Sequence, residues 1–105
     1  MAVRDKQRYV LVETSIENGM RQKKQLETQF YQDLAMMLGL INYHKVNPRV
    51  IRYIDDTRFI IRLRNELPSL ITALALMREF NSKRVAFYTL KSSGTIAALM
   101  KPNSN

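Results

Sequence analysis

Residues 58–64 read RFIIRLR, an alternation of apolar and basic side chains that few folds can accept. Successive side chains of a strand point to opposite faces, so Phe59, Ile61 and Leu63 lie on one side and Arg58, Ile60, Arg62 and Arg64 on the other. A strand with one apolar and one basic face belongs in an antiparallel sheet that is packed on one side and wet on the other. Residues 49–54 (RVIRYI) read as a second strand, and Asp55-Asp56-Thr57 between the two has the chemistry of a tight hairpin turn.

The rest of the chain supplies partners for this hairpin. Residues 8–16 (RYVLVETSI) are short, apolar and β-branched, which predicts a well-buried strand. Asn18-Gly19 marks a turn. From residue 21 to about 41 the period changes: Leu26, Phe30, Leu34, Met37 or Leu38, and Ile41 recur every three to four residues along one helix face, with Gly39 a place where the helix ends or bends. Residues 43–48 read as a connection. Asn65 is positioned to cap a second helix that tolerates Pro68 in its first turn and buries Leu67, Leu70, Ile71, Leu74, Met77 and Phe80. Asn81-Ser82 closes it. Residues 84–90 (RVAFYTL) give a fourth strand, and Ser92-Ser93-Gly94-Thr95 leads into a short apolar helix at residues 96–100.

The order is strand, helix, strand, strand, helix, strand. It predicts an α+β, ferredoxin-like or RNA-recognition-motif-like β-α-β-β-α-β fold: a four-stranded antiparallel sheet, helices on one face, and a short C-terminal helix. With 105 residues in all, there is room for one domain, expected over residues 8–100 between a flexible basic arm (1–7) and a disordered tail (101–105).

Charge narrows the function further. The chain carries 17 Lys and Arg against 9 acids, a net of +8. Residues 1–44 hold six bases and five acids, residues 45–105 eleven and four, and no acid follows residue 81. A field of this sign attracts polyanions, nucleic acid foremost, with an anionic membrane surface as the competitor. The absence of cysteine excludes disulfides, thiol catalysis and zinc knuckles. No apolar run is long enough to cross a bilayer, and the first ten residues lack a signal-peptide pattern, so an intracellular protein is expected.

Side chains suited to catalysis do not assemble. His44, the one histidine, reads as a loop residue without a catalytic duty, because neither a metal set nor a nucleophile pair surrounds it. Asp55 and Asp56 read as turn chemistry. Glu13 is a lone acid in the first strand. The three glycines are scattered, so there is no Gly-rich phosphate loop, though Lys91 beside Ser93, Gly94 and Thr95 offers a cation, hydroxyls and helix N–H groups to an anion. Arg52, Arg58, Arg62 and Arg64 share a sheet surface if the register allows. Tyr9, Tyr53 and Tyr88 are candidates for stacking a base, or for the core. The run K/R-G-F/Y-G/A-F-V-x-F/Y of RNA-recognition motifs is missing, so phosphate contact fits better than base reading.

The strand RYVLVE, the hairpin of VIRYI and FIIRL, the helix LITALALMREF and above all VAFYTLKSSGTI resemble the ribonuclease P protein component 2 family, over residues 8–100. Ala97 and Ala98 follow SGTI where members typically carry a basic residue. The resemblance implies a non-catalytic, archaeal-type cytoplasmic subunit. It would bind and stabilise a catalytic RNA that removes the 5′ leader of precursor tRNA, with magnesium held by the RNA and no cofactor on the protein. It also implies a hetero-oligomer with a TIM-barrel subunit, component 3, and no membrane association. Under this reading Arg4, Lys6, Arg8, Arg52, Arg58, Arg62, Arg64, Lys83, Arg84, Lys91, Ser93, Gly94 and Thr95 are the RNA-binding candidates. Met36, Met37 and Leu40, part of an apolar excess beyond one helix stripe, are the partner-binding candidates. The alternative is a stand-alone single-stranded RNA-binding domain, and a third class is an acylphosphatase-like hydrolase, for which no residue set stands out.

Overall fold

The first long helix stops short of its own apolar repeat. The computed structural model describes residues 7–16, 24–64, 67–80 and 83–100. In chain order its elements are β1 (Arg8–Thr14), α1 (Lys24–Leu38), α2 (Leu40–Val46), β2 (Arg49–Tyr53), β3 (Arg58–Leu63), α3 (Leu67–Leu76), β4 (Glu79–Phe80), β5 (Lys83–Arg84), β6 (Phe87–Ser93) and α4 (Ile96–Met100). Helix α1 buries Phe30, Leu34 and Leu38. Gly39 then adopts φ 79°, ψ 155°, a conformation open essentially to glycine alone. Its N–H still donates to the Ala35 carbonyl at 2.9 Å, and its carbonyl accepts the Tyr43 N–H at 2.8 Å, starting α2 in a new direction. Asn47 ends α2 in the left-handed region at φ 47°, its N–H donating to the Tyr43 carbonyl.

The expected connection over residues 43–48 is therefore mostly helix. His44 is an exposed helical residue, and Ile41, expected in the buried stripe, is 73% exposed. The break at Gly39 puts it on a different axis from Phe30 and Leu34.

β2, β3, β1 and β6 form one antiparallel sheet in that order. This is the predicted topology. The core lies between one sheet face and the helices: Val10, Val12, Phe59, Ile61, Leu63 and Phe87 meet Phe30, Leu34, Leu38, Val46, Leu70, Ala73 and Leu74. Phe30 sits at its centre, edge-on to Phe59 with ring centroids 5.6 Å apart and tilted on Phe87 at 5.1 Å.

The opposite face is not uniformly wet. Ile60 is 0% exposed yet lies outside the main cluster, as does the buried Leu99 of α4. Helix α4 packs against β1 and β6, so a small apolar patch under the C-terminal helix covers part of the face that alternation alone had left to solvent.

The segment after α3 also departs from expectation. The helix ends at Leu76 instead of running to residue 80, and Glu79–Phe80 pairs with Lys83–Arg84 in a two-residue ribbon. Residues 85 and 86 are outside the strand because their backbone is used elsewhere. Val85 N–H donates to the Arg78 carbonyl at 3.0 Å, Ala86 N–H to Ser15 Oγ at 2.8 Å, and Ser15 N–H to the Ala86 carbonyl at 3.0 Å. β6 then runs from Phe87 through Ser93, longer at its far end than expected. All but Gln7 of the arm expected over residues 1–7, the Asn18-Gly19 turn, the Asn65 cap, the closure at residues 81–82 and the tail at 101–105 lie outside the described residues.

Candidate nucleic-acid interface

Strand register decides which cations share a surface. Arg62 stands opposite Tyr9, and Tyr9 opposite Ser93. In the next row Arg52 faces Ile60, Ile60 faces Leu11, and Leu11 faces Lys91. Arg58 faces Glu13, which faces Tyr88. Since directly paired residues lie on the same side of a sheet, Arg52, Arg58, Arg62, Tyr9, Tyr88 and Lys91 all stand on the face away from the α1–α3 layer. Two β-bulges hold this alignment, one between Val50 and Arg52 in β2 and one opposite Leu11–Val12 where β6 carries the extra Leu90.

The cations on this face are not equivalent. Arg52 and Arg62 are exposed and make no ion pair among the described residues. Arg58 is committed to the hairpin: its Nε donates to Asp55 Oδ2 at 2.8 Å and its Nη2 lies 2.6 Å from the same oxygen. Asp55 Oδ1 accepts the backbone N–H groups of Thr57 at 3.0 Å and Arg58 at 2.9 Å. The Arg58 guanidinium, with those N–H donors, lowers the Asp55 pKa to about 2. Asp55 therefore stays charged, and Arg58 is ion-paired before any ligand arrives. Lys91 is half-buried in the row that α4 flanks, and Arg8 is exposed at the start of β1.

Other expected contacts are placed differently. Arg64 is exposed just past β3, its N–H donating to the Val46 carbonyl at 2.9 Å, and it is engaged by further interactions. Arg84 belongs to the β4–β5 ribbon, away from the Arg52–Arg62 rows. Arg4, Lys6 and the side chain of Lys83 are outside what the structure describes. At Ser93-Gly94-Thr95 the hydroxyls turn inward on the chain: Ser93 Oγ accepts the Thr95 N–H at 3.3 Å and Thr95 Oγ1 accepts the Ala98 N–H at 3.2 Å. Thr95 is the N-cap of α4, and the Ser93 and Thr95 hydroxyls together occupy two of the N–H groups that an anion would otherwise take.

Of the three tyrosines, Tyr9 and Tyr88 reach the basic face and Tyr53 does not. Tyr53 donates to Glu27 Oε2 of α1 at 2.9 Å, Tyr31 donates to Glu27 Oε1 at 3.1 Å, and the Tyr31 oxygen accepts the Val50 N–H at 2.9 Å. Burial, with the Glu27 carboxylate adding to it, raises both phenol pKa values. Tyr31 thus satisfies one N–H of β2, an edge strand of the sheet. Arg49, absent from the sequence-derived candidates, is opposite Arg62 in register. Its guanidinium nevertheless wraps the edge, 5.5 Å above the Tyr31 ring and bonded to the Pro48 carbonyl at 2.8 Å.

The partner candidates lie on the helical side. Met36 is 81% exposed, Leu40 70% and Met37 48%, and Ile41 joins them. Among the described residues, no three His, Cys, Asp or Glu side chains gather to hold a metal, and no helix is long and apolar enough to cross a membrane.

Fold and surface together define a small basic α+β domain with arginines on the sheet face away from its main helices. Residues 8–102 match the model of the Rpp14/Pop5 family, and the chain belongs to that family. Over 101 residues it is 33% identical to ribonuclease P protein component 2 of Pyrococcus horikoshii, covering 94% of this chain and 83% of the relative. The resemblance read from VAFYTLKSSGTI and the order of elements is thereby upheld. A chain in the cryo-EM structure of yeast ribonuclease MRP shares the fold with a TM-score of 0.61, at 11% identity, over 90% of this chain and 79% of that one.

Proposed function

We propose that this chain is a non-catalytic protein subunit of a ribonuclease P-type ribonucleoprotein, where it binds the catalytic RNA and supports removal of the 5′ leader from precursor tRNA. The observation that carries the reading is the placement of Arg52 and Arg62 on one sheet face, exposed and unpaired among the described residues. Cations free of acidic partners lose little on meeting phosphate, whereas Arg58 would first have to leave Asp55. Arg8 and Lys91 extend the phosphate-contacting surface, with Arg4, Lys6, Arg64, Lys83, Arg84 and the hydroxyls of Ser93 and Thr95 as outlying contacts. The magnesium ions of the reaction belong to the RNA. Met36, Met37 and Leu40 form the docking patch for a protein partner of the TIM-barrel component 3 kind, in an archaeal-type cytoplasmic assembly. Packing of α4 on β1 and β6 argues against the stand-alone single-strand reader, which needs an open sheet of aromatic rings.

The test is reconstitution of precursor-tRNA cleavage with the ribonuclease P RNA and other proteins of the same source, with this chain present or omitted. A 5′-leader cut that depends on the chain, at magnesium concentrations where RNA alone is nearly silent, is the expected result. Undiminished cleavage without it would overturn the proposal.

A further inference from the structure

An exposed arginine has wide rotamer freedom, which it loses when it binds. Arg49 is exposed, yet its guanidinium is already held. Nη1 donates to the Pro48 carbonyl at 2.8 Å and to the Tyr43 hydroxyl oxygen at 3.3 Å, and the guanidinium carbon lies 5.5 Å from the centroid of the Tyr31 ring. The holders come from α1, α2 and the residue before β2. Tyr31 is itself fixed by Glu27 and by the Val50 N–H, and Pro48 is buried.

These contacts use one side of the guanidinium. Nε and Nη2 have no hydrogen-bond partner among the described residues. Their N–H groups lie side by side, the fork that matches two oxygens of one phosphate. Arg58 shows the contrast, because its Nε and Nη2 both meet Asp55 Oδ2. The acid nearest to Arg49 through Tyr31 is Glu27, whose carboxylate accepts from the Tyr31 and Tyr53 hydroxyls and forms no ion pair with Arg49. A ring face and two neutral oxygens therefore position the Arg49 cation without neutralising it.

A lone fork would take a carboxylate as readily as a phosphate. The neighbours of Arg49 decide between them. Arg62 stands opposite it across β3, on the sheet face with Arg52. On the other side of the edge, His44 and Lys45 are exposed in the last turn of α2, and the Arg64 N–H to Val46 carbonyl bond ties that turn to the end of β3. Cations thus run from the sheet face, round the β2 edge, to the end of α2. Such a track fits a chain of phosphates better than a single anion. At the far side of the sheet α4 packs on β1 and β6, so the β2 edge is the open way off the face.

We propose that Arg49 is a pre-set phosphate clamp at which an RNA backbone crosses the β2 edge, passing from the Arg52–Arg62 face toward Lys45. Tyr31 and Tyr43 are positioning residues for it. Because the guanidinium is in place beforehand, less freedom is lost on binding than at a mobile arginine. The clamp rests on the proposed RNA-binding function and adds to it a specific contact and a path.

The experiment titrates the full chain against labelled ribonuclease P RNA of the same source at a series of salt concentrations, read by filter binding. Arg49→Lys keeps the charge and loses the fork, and should weaken binding about fivefold with the salt slope unchanged. Arg49→Ala loses both, and should also lower the slope of log K against log salt by about 0.7–0.9. Lys45→Ala should lower the slope by a similar amount, and an unchanged slope there would overturn the path to α2. Tyr31→Phe and Tyr31→Leu both remove the hydroxyl, but only Tyr31→Leu removes the ring. Tyr31→Leu should therefore bind more weakly than Tyr31→Phe when Arg49 is present, and equally when it is replaced in Arg49→Lys. A general folding defect would not give that non-additivity. Wild-type affinity in Arg49→Lys, or a wild-type slope in Arg49→Ala, would overturn the clamp and leave the RNA reading standing. No binding of the RNA by the wild-type chain would overturn both. Loss of a protein partner in Arg49→Lys with RNA binding intact would assign the fork to a carboxylate of that partner and overturn the clamp.

Discussion

The Asp55 carboxylate ties down the β2–β3 turn, accepting hydrogen bonds from Thr57 and from both the backbone and the side chain of Arg58. Its pKa, lowered to about 2 by those partners, sets a pH window. An unfolded aspartate titrates near ~3.9, so the stabilising effect is fully present above that value and is lost as pH falls through about 2. The carboxyl resonance of Asp55 should titrate in that lower range, and Asp55→Asn should remove the corresponding step from acid unfolding. Tyr31 and Tyr53 behave in the opposite sense. Their pKa values are raised by burial and by Glu27, so folding holds the protons that the unfolded chain gives up near ~10. Stability is complete below that pH and declines as pH rises toward the folded values. An absorbance titration at alkaline pH should show a phenolate component that lags, and Tyr53→Phe should diminish it. At this scale the alternation of RFIIRLR correctly separated Arg62 from Phe59. It said nothing of Arg49, because the Tyr31 ring that draws its guanidinium round the sheet edge is 18 residues away in the chain and meets it only after folding.

Elements were legible where burial imposed a period and obscure where it did not. α1 shows itself through Phe30, Leu34 and Leu38, all buried. α2 buries only Val46, so LINYHKV has no stripe to read, and its helicity follows from the Gly39 turn before it and the Asn47 cap after it. The ribbon of β4 and β5 is two residues per strand, too short for any period. Met77 misled for another reason: it is buried and continues the spacing of α3 although it lies one residue beyond the helix. Gly39 is the joint on which this depends. A Cβ there would meet nothing within 4 Å, so Gly39→Ala isolates backbone strain from crowding. It should cost about 1–3 kcal/mol, seen as a lower urea midpoint with an unchanged slope. Leu99→Ala tests α4 in the same assay. Loss of a buried leucine is worth about 2–5 kcal/mol, and a value well below that range would mean that α4 does not hold the patch around Ile60.

For the whole molecule, the question is how a net charge of +8 is turned into contacts with a polyanion. Most of the excess lies in the second half of the chain, as its composition announced, but the fold divides it. Arg52 and Arg62 stand on the sheet face without an acidic partner among the described residues, Arg58 is paired with Asp55, Arg49 is folded over Tyr31, and Arg78 and Arg84 lie beyond the end of α3. Composition could not foresee that division, since it depends on register and on which acids and rings come near. It can be measured through the salt dependence of RNA binding. Each phosphate contact contributes about 0.7 to the slope of log K against log salt for a single strand and about 0.9 for a duplex of the B-DNA type. The Arg52→Ala, Arg62→Ala double variant should therefore lower the slope by about 1.4–1.8 units. Arg58→Ala should change it by much less than one contact, because its charge is already countered within the protein. If Arg58→Ala reduced the slope as strongly as Arg62→Ala, the Asp55 pair would have to open on binding. If the double variant left the slope unchanged, the RNA would have to lie on another face of the molecule.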